Sequence, residues 1–189
     1  MGLDQYVYRV RKLELEDRVY THEEISEMGF GWASAVNFKT NKNLYVQLAP
    51  YAVKRDVECN YYDVEKMIAH YNLPEDSHIV GYGSYGVTLC GTNTNGDRVE
   101  QEISEEEVVE KFVKTEVHPH YIWGEDEVKY WRKNYDLQDW IYNTIEGVDN
   151  TGYYILDADL ISEINCAYGA DIPEEDPTEE SALFYWEWY

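Results

Sequence analysis

The chain has 189 residues, with 15 Lys and Arg against 38 Asp and Glu, a formal net charge of -23. Hydrophobic residues make up 44% and aromatics 15%, with 19 Tyr and 6 Trp; a disordered acidic chain is poor in such side chains, so a folded protein is expected. The charge argues against binding nucleic acid through its phosphates, which takes Lys and Arg, and against anionic membrane surfaces.

The opening residues Met1-Gly2-Leu3-Asp4-Gln5-Tyr6 lack the basic and apolar regions of a signal peptide. Tyr6 stands where myristoylation of Gly2 wants Ser or Thr. No apolar run approaches a membrane span. Cys59, Cys90 and Cys166 are odd in number and far apart, which suits free thiols in a reducing compartment.

In chain order, Tyr6, Tyr8 and Val10 alternate with Val7, Arg9 and Arg11, the pattern of a strand. Thr21-His22-Glu23-Glu24 is a capping box opening a short helix that ends near Gly29. Asp63 caps a helix over Val64, Met67, Ile68 and Tyr71, stopped by Pro74. Residues 78–103 read as a β-meander whose turn is Asn95-Gly96, two residues that tolerate positive φ. Ser104 and Glu107 form a second capping box, with a helix through Val108, Val109, Phe112 and Val113.

Residues 125–146 carry a helical stripe of Val128, Trp131, Tyr135, Leu137, Ile141 and Ile145, with Glu125-Asp126-Glu127 in the first turn and Gly147 at the end. On that helix only Asp136 would lie one turn from Arg132 with opposite charge. Gly152–Leu156 is a short strand, and Asp157 caps a helix through Leu160, Ile161 and Ile164. The whole reads as an α+β protein with a mixed, mainly antiparallel sheet and several packed helices. Residues 1–172 form a single domain in this reading and residues 173–181 an acidic, proline-flanked linker. Residues 182–189 form an aromatic strand that packs on the domain or on a partner.

Candidate chemistry is sparse. His118-Pro119-His120 with Glu125 and Asp126 could form part of a metal site, since two histidines two apart share one side of a strand; a turn with exposed histidines explains them better, because Pro marks turns and no further ligand has metal-site spacing. Asp157-Ala158-Asp159 with Glu163 resembles part of a calcium loop but lacks its glycine and spacing, and capping explains Asp157 better. Gly81-x-Gly83-x-x-Gly86 binds a dinucleotide only between a strand and a helix, and here strand residues follow. No nucleophile motif is present, and no cofactor, metal ligand or catalytic residue is assigned.

Charge is the remaining signal. Residues 1–60 hold 8 Lys and Arg against 9 Asp and Glu; residues 61–189 hold 7 against 29. After Lys133 come 14 acids and no Lys or Arg. Carboxylates on a rigid fold can present negative charge at spacings near those of DNA phosphates, and complementary fields speed encounter with a basic cleft. The candidate partner-binding residues are Glu105, Glu106, Glu110, Glu125, Asp126, Asp136, Asp139, Asp171, Glu174, Glu175, Asp176, Glu179 and Glu180.

The Met1–Tyr6 opening resembles a recurrent Met-Gly-Leu-Asp-x-Tyr start. Glu127–Asn134, followed by Trp140, Gly147-Val148-Asp149 and Gly152-Tyr153-Tyr154, is similar to a Glu-Val-x-Tyr-Trp-Arg-Lys block of small bacteriophage and prophage proteins. Asn134 and Gln138 depart from that pattern, which has a small residue and a histidine there. The resemblance carries over no catalytic residue. It implies a phage accessory protein in the host bacterial cytoplasm, a context that raises the reading suggested by the charge, an inhibitor of a basic, nucleic-acid-handling host protein such as a nuclease, RNA polymerase or nucleoid protein. Such a role is anti-defence, as in anti-CRISPR or anti-restriction, with DNA mimicry as one mechanism. The alternatives are a metal- or small-ligand-binding enzyme using His118 and His120, and a structural or oligomeric phage accessory protein.

Overall fold

The computed structural model describes residues 2–83, 86–148 and 151–188. Met1 of the opening motif, Ser84 and Tyr85 of the glycine-rich run, Asp149 of the phage-like block and Tyr189 of the terminal run lie outside the described residues. The elements in order are β1 (Asp4–Arg11), β2 (Tyr20–Thr21), α1 (His22–Glu27), β3 (Phe30–Ser34), α2 (Ala35–Thr40), α3 (Lys42–Tyr45), a 3-10 turn (Ala49–Tyr51), β4 (Val53–Tyr62) and α4 (Val64–Tyr71). There follow β5 (His78–Gly83), β6 (Gly86–Thr92), β7 (Arg98–Ile103), α5 (Glu105–Lys111), β8 (Val113–Arg132), α6 (Tyr135–Thr144), β9 (Tyr154–Leu156), α7 (Ala158–Tyr168) and β10 (Ser181–Trp188). The protein is α+β, with antiparallel pairing between β1 and β10, β1 and β8, β5 and β6, and β6 and β7. Where the sequence suggests one domain over 1–172, the chain packs as two compact units, residues 1–57 with 118–189 and residues 58–117.

The larger sheet has the strand order β2-β4-β8-β1-β10-β9, with β3 also paired to β8. β10 lies between β1 and β9, in register from Asp4 opposite Trp188 to Arg11 opposite Ser181. Both faces of this sheet are covered. Val7, Leu183, Tyr185, Tyr154 and Leu156 meet Leu137 and Ile141 of α6 and Ile161 and Ile164 of α7. On the opposite face Val10, Ala182 and Phe184 meet Phe38 of α2, Leu48 and Tyr51. A strand buried on both sides has no reason to alternate, which is why Ala182-Leu183-Phe184-Tyr185 is apolar without a break. Burial of Leu183 and Phe184 stabilises the fold by roughly 1.5–3 kcal/mol each.

The segment expected as a linker, residues 173–181, is fastened at Glu175 to Arg9 and at Asp176 to Ala158 N, and the residues just before it are held as well. Asn165 exchanges two hydrogen bonds of 2.8 Å with the backbone of Ile172, and Ala170 and Ile172 are buried. The Thr178 carbonyl accepts from Tyr51 Oη at 2.9 Å.

The second unit packs Met67 of α4 and Val108 of α5, with Phe112, on Val87, Leu89 and Ile103 of the β5-β6-β7 sheet. Asp63 accepts from Lys66 N at 3.1 Å as anticipated; Ser104 accepts from Glu107 N at 3.3 Å, one half of the expected capping box, while the Glu107 carboxylate accepts from Lys111 Nζ at 3.0 Å. The β6–β7 turn differs from the two-residue form. Asn93 Oδ1 accepts from Asn95 N and Asp97 N, each at 2.9 Å, and Gly96 alone of the loop residues has positive φ, +84°.

The helix expected over 125–146 is corrected. Residues 113–132 form one strand, and α6 begins only at Tyr135, after Lys133 at φ +58° and the Asn134 cap. The cause is a bulge. Tyr8 pairs with Glu127 and Val7 with Lys129, so Val128 is an extra residue that shifts the alternation by one. Tyr121 and Trp123 before it face one core, while Trp131 beyond it faces the other. Val128 and Trp131 thereby mimic the spacing of a helical stripe. Arg132 lies opposite Asp4 on β1 rather than a helical turn from Asp136.

Candidate protein-binding surface

The α6 and α7 layer carries the acidic signal of the C-terminal third. Both helices turn apolar residues to the sheet, so their outer faces hold the polar ones. Asp136 and Asp139 of α6, and Asp157, Asp159 and Glu163 at the start and along α7, are exposed. Neither helix contains Lys or Arg. Tyr168 Oη donates to the Asp136 carbonyl at 3.1 Å, tying the end of α7 to the start of α6. Its hydroxyl is pushed above its ordinary value by burial first, then by Asp136 and Asp139. Asp171, Glu174, Glu179 and Glu180 continue the run, also exposed.

Not every candidate residue belongs to this face. Glu105, Glu106 and Glu110 are exposed on α5 of the second unit. Asp126 pairs with Arg11 at 3.2 Å and Glu175 with Arg9 at 2.9 Å; such part-exposed pairs add little stability but do neutralise the acid. Asp176 accepts from Ala158 N at 3.2 Å at the start of α7.

Glu125 is a correction. It sits partly buried in the aromatic layer, accepting from Trp123 Nε1 at 2.9 Å and from Tyr153 Oη at 3.2 Å. Burial raises its carboxyl above the usual carboxylate range, and those two hydrogen bonds only partly offset this. Tyr153 is raised well above the ordinary phenol value, by burial first and then by Glu125. A carboxyl whose folded pKa exceeds its unfolded one leaves stability intact below the unfolded value and removes it as pH rises through the folded one. Glu125→Gln is therefore expected to gain stability relative to the native protein as pH climbs from the ordinary glutamate value of about 4 toward neutrality. Urea unfolding at intervals across that range measures it; a stability difference that does not change with pH would remove burial as the governing cause.

A second buried carboxylate has no counterpart among the residues singled out in the sequence. Glu187 is fully buried and accepts from Tyr185 Oη at 2.7 Å, Tyr142 Oη at 2.7 Å and Gln138 Nε2 at 3.2 Å. Gln5 Nε2 donates to Tyr185 Oη at 2.8 Å, while Gln5 Oε1 accepts from Asn134 N at 3.1 Å. Asn134 and Gln138 are both tied into this network. Nothing local marks Glu187, because a carboxylate in so acidic a chain is unremarkable until its partners are assembled.

The other chemical candidates do not converge. His120 is buried, its Nδ1 donating to the His118 carbonyl at 2.9 Å and its ring 5.7 Å from that of Trp32. It is thus not the exposed turn residue of the simpler expectation. Among the described residues no group of three or more His, Cys, Asp or Glu is placed to hold a metal ion. Asp157 caps α7, accepting from Leu160 N at 2.9 Å. Gly81, Gly83 and Gly86 lie in the β5–β6 hairpin, with strand on both sides. Cys59 and Cys90 are buried, and burial pushes the Cys59 thiol up, away from reactivity.

Among the described residues no helix is long and apolar enough to cross a membrane. No protein family, curated protein or solved structure matches this chain.

Proposed function

We propose that this is a phage-encoded acidic protein of the host bacterial cytoplasm that binds and inhibits a basic, nucleic-acid-handling host protein. Its acidic layer occupies the surface on which that partner holds nucleic acid. The observation that carries the reading is the α6–α7 layer, exposed carboxylates on two packed helices without one Lys or Arg of their own. The helices are anchored by Leu137, Ile141, Ile161 and Ile164, so the charges are presented with little ordering left to do on binding. Rim charges of this kind act on encounter rate and register, and they respond to salt.

The test is competition. A partner captured from bacterial lysate is bound to labelled duplex DNA, and the protein is titrated in. The native protein displaces the DNA, less well as salt rises. The combined variant Asp136→Lys, Asp139→Lys, Asp159→Lys and Glu163→Lys is expected to displace it about tenfold or more less well while remaining folded, with a modest drop in its thermal melt from the lysines in the first turns of α6 and α7. A partner that binds the protein and DNA together contradicts inhibition by occupancy, and unchanged competition by the variant contradicts the role of this layer.

A further inference from the structure

Residues 58–117 carry an apolar groove of about 600 Å³ that the acidic layer of α6 and α7 does not involve. Tyr61, Tyr62, Val64, Tyr82, Val109 and Val113 line it. These side chains are poorly placed for a surface with no partner: Tyr82 is 71% exposed and Val109 64%. The rings of Tyr62 and Tyr82 stack 5.9 Å apart at 27°, presenting aromatic faces from β4 and β5. Exposed apolar residues that converge in this way mark interaction sites, unlike the single ones scattered over any surface.

Charge identifies the occupant. Residues 58–117 hold 13 Asp and Glu against 4 Lys and Arg, a net of -9. All four cations are engaged: Lys66 with the Lys111 carbonyl, Lys111 with Glu107, Lys114 with Glu116 and Arg98 with Glu100. Glu105 and Glu106 precede Val109 by one turn of α5 and share its side of the helix, and Glu110 follows it. Among the described residues no ion pair engages these three. A second copy of the chain would bring the same negative surface against this one, and a nucleic acid would bring phosphates. A cationic protein segment meets both features: apolar side chains fill the space between Val109 and Val113, and guanidinium or ammonium groups lie on tyrosine faces within reach of the acids.

We propose that the groove lined by Tyr61, Tyr62 and Tyr82 binds a short protein segment in which apolar residues alternate with arginine or lysine. This deepens the reading above, since it rests on a basic partner and names where that partner is anchored. It does not require that the anchored segment be the partner's nucleic-acid site.

The probe is a fluorescein-labelled twelve-residue peptide alternating Arg and Leu, titrated with the full-length protein and followed by anisotropy. Its controls are the Arg/Ser and Glu/Leu peptides of the same length. The Arg/Leu peptide binds and the Glu/Leu peptide does not. Tyr82→Ala and Val109→Ser, both at exposed positions, each weaken binding by about tenfold, while Asp136→Lys with Asp139→Lys leaves it unchanged. Equal binding of the Arg/Ser peptide, or indifference to both groove substitutions, overturns the proposal. So does a concentration-dependent dimer in sedimentation that Tyr82→Ala disperses, because the groove then belongs to a second copy. Failure of the Arg/Leu peptide to bind removes the groove and leaves DNA competition standing; a captured partner that never competes with DNA removes the inhibitor reading and leaves the groove.

Discussion

Replacing Glu187 with alanine is expected to lower the unfolding free energy by about 3–5 kcal/mol, read from urea denaturation at neutral pH. The size follows from the direction of the hydrogen bonds. Asn134 N donates to Gln5 Oε1, which leaves Gln5 only its amide group to offer, and that group donates to Tyr185 Oη. Tyr185 must then send its own proton onward, and Glu187 Oε2 takes it. Tyr142 and Gln138 send theirs to Glu187 Oε1. All these donors end on one residue, so the terminal group has to accept at both oxygens and donate at neither. Alanine takes this acceptor from Tyr185, which is fully buried, and from Gln138 and the more exposed Tyr142 beside it; a buried donor left unsatisfied costs about 1–3 kcal/mol before relaxation. Glutamine is the informative contrast. It keeps one accepting oxygen but turns an amide toward a donor, so Glu187→Gln is expected to cost about 1–3 kcal/mol, clearly less than alanine and more than nothing. Equal losses for the two variants would mean that packing, and not the direction of the donors, makes Glu187 necessary.

That network shows where reading the sequence stops. Local signals were legible wherever one segment decides its own conformation. The side chains of Thr21, Asp63, Ser104 and Asp157 cap the helices that follow them, and β1 and the three-stranded meander fall where alternation and turn residues put them. The failure came where two segments decide together. Val128 is an extra residue only with respect to β1, and nothing in residues 125–146 announces a partner strand that would turn a helical spacing into a bulged one. The candidate surface divides in the same way. Asp136, Asp139 and the carboxylates after residue 170 were visible as an unbroken run of one sign, and most remain exposed. Glu125 and Glu187 looked identical to them in the sequence. What separates the two is a pair of donor sets, each joining a neighbour two residues along the same strand, Trp123 or Tyr185, to side chains from a distant segment, Tyr153 for Glu125 and Tyr142 and Gln138 of α6 for Glu187.

Gly31→Ala is expected to destabilise the protein by about 2–4 kcal/mol, against the usual gain when alanine replaces glycine inside a strand. Gly31 stands directly opposite Trp123 in the β3–β8 pairing. A Cβ built there would collide with Trp123 Nε1 and Glu125 Oε2. It would enter the hydrogen bond that holds the carboxylate. The indole is fully buried and packed against Phe38, Tyr45 and Tyr153, so it has no empty space to move into. Part of the loss is therefore overpacking, and part is a buried carboxylate parted from its donor. A double-mutant cycle with Trp123→Phe separates these from any preference of the strand itself. Phenylalanine removes the nitrogen that the new methyl would strike, so Gly31→Ala should cost much less in that background, and the two losses should fail to add. Additive losses would mean that the glycine is needed for the β3 backbone alone. Gly29 supplies the comparison: its Cβ would meet nothing within 4 Å, but its φ is +66°. Alanine there should cost only the left-handed backbone strain of about 1–2 kcal/mol, and that cost should be the same whether residue 123 is tryptophan or phenylalanine.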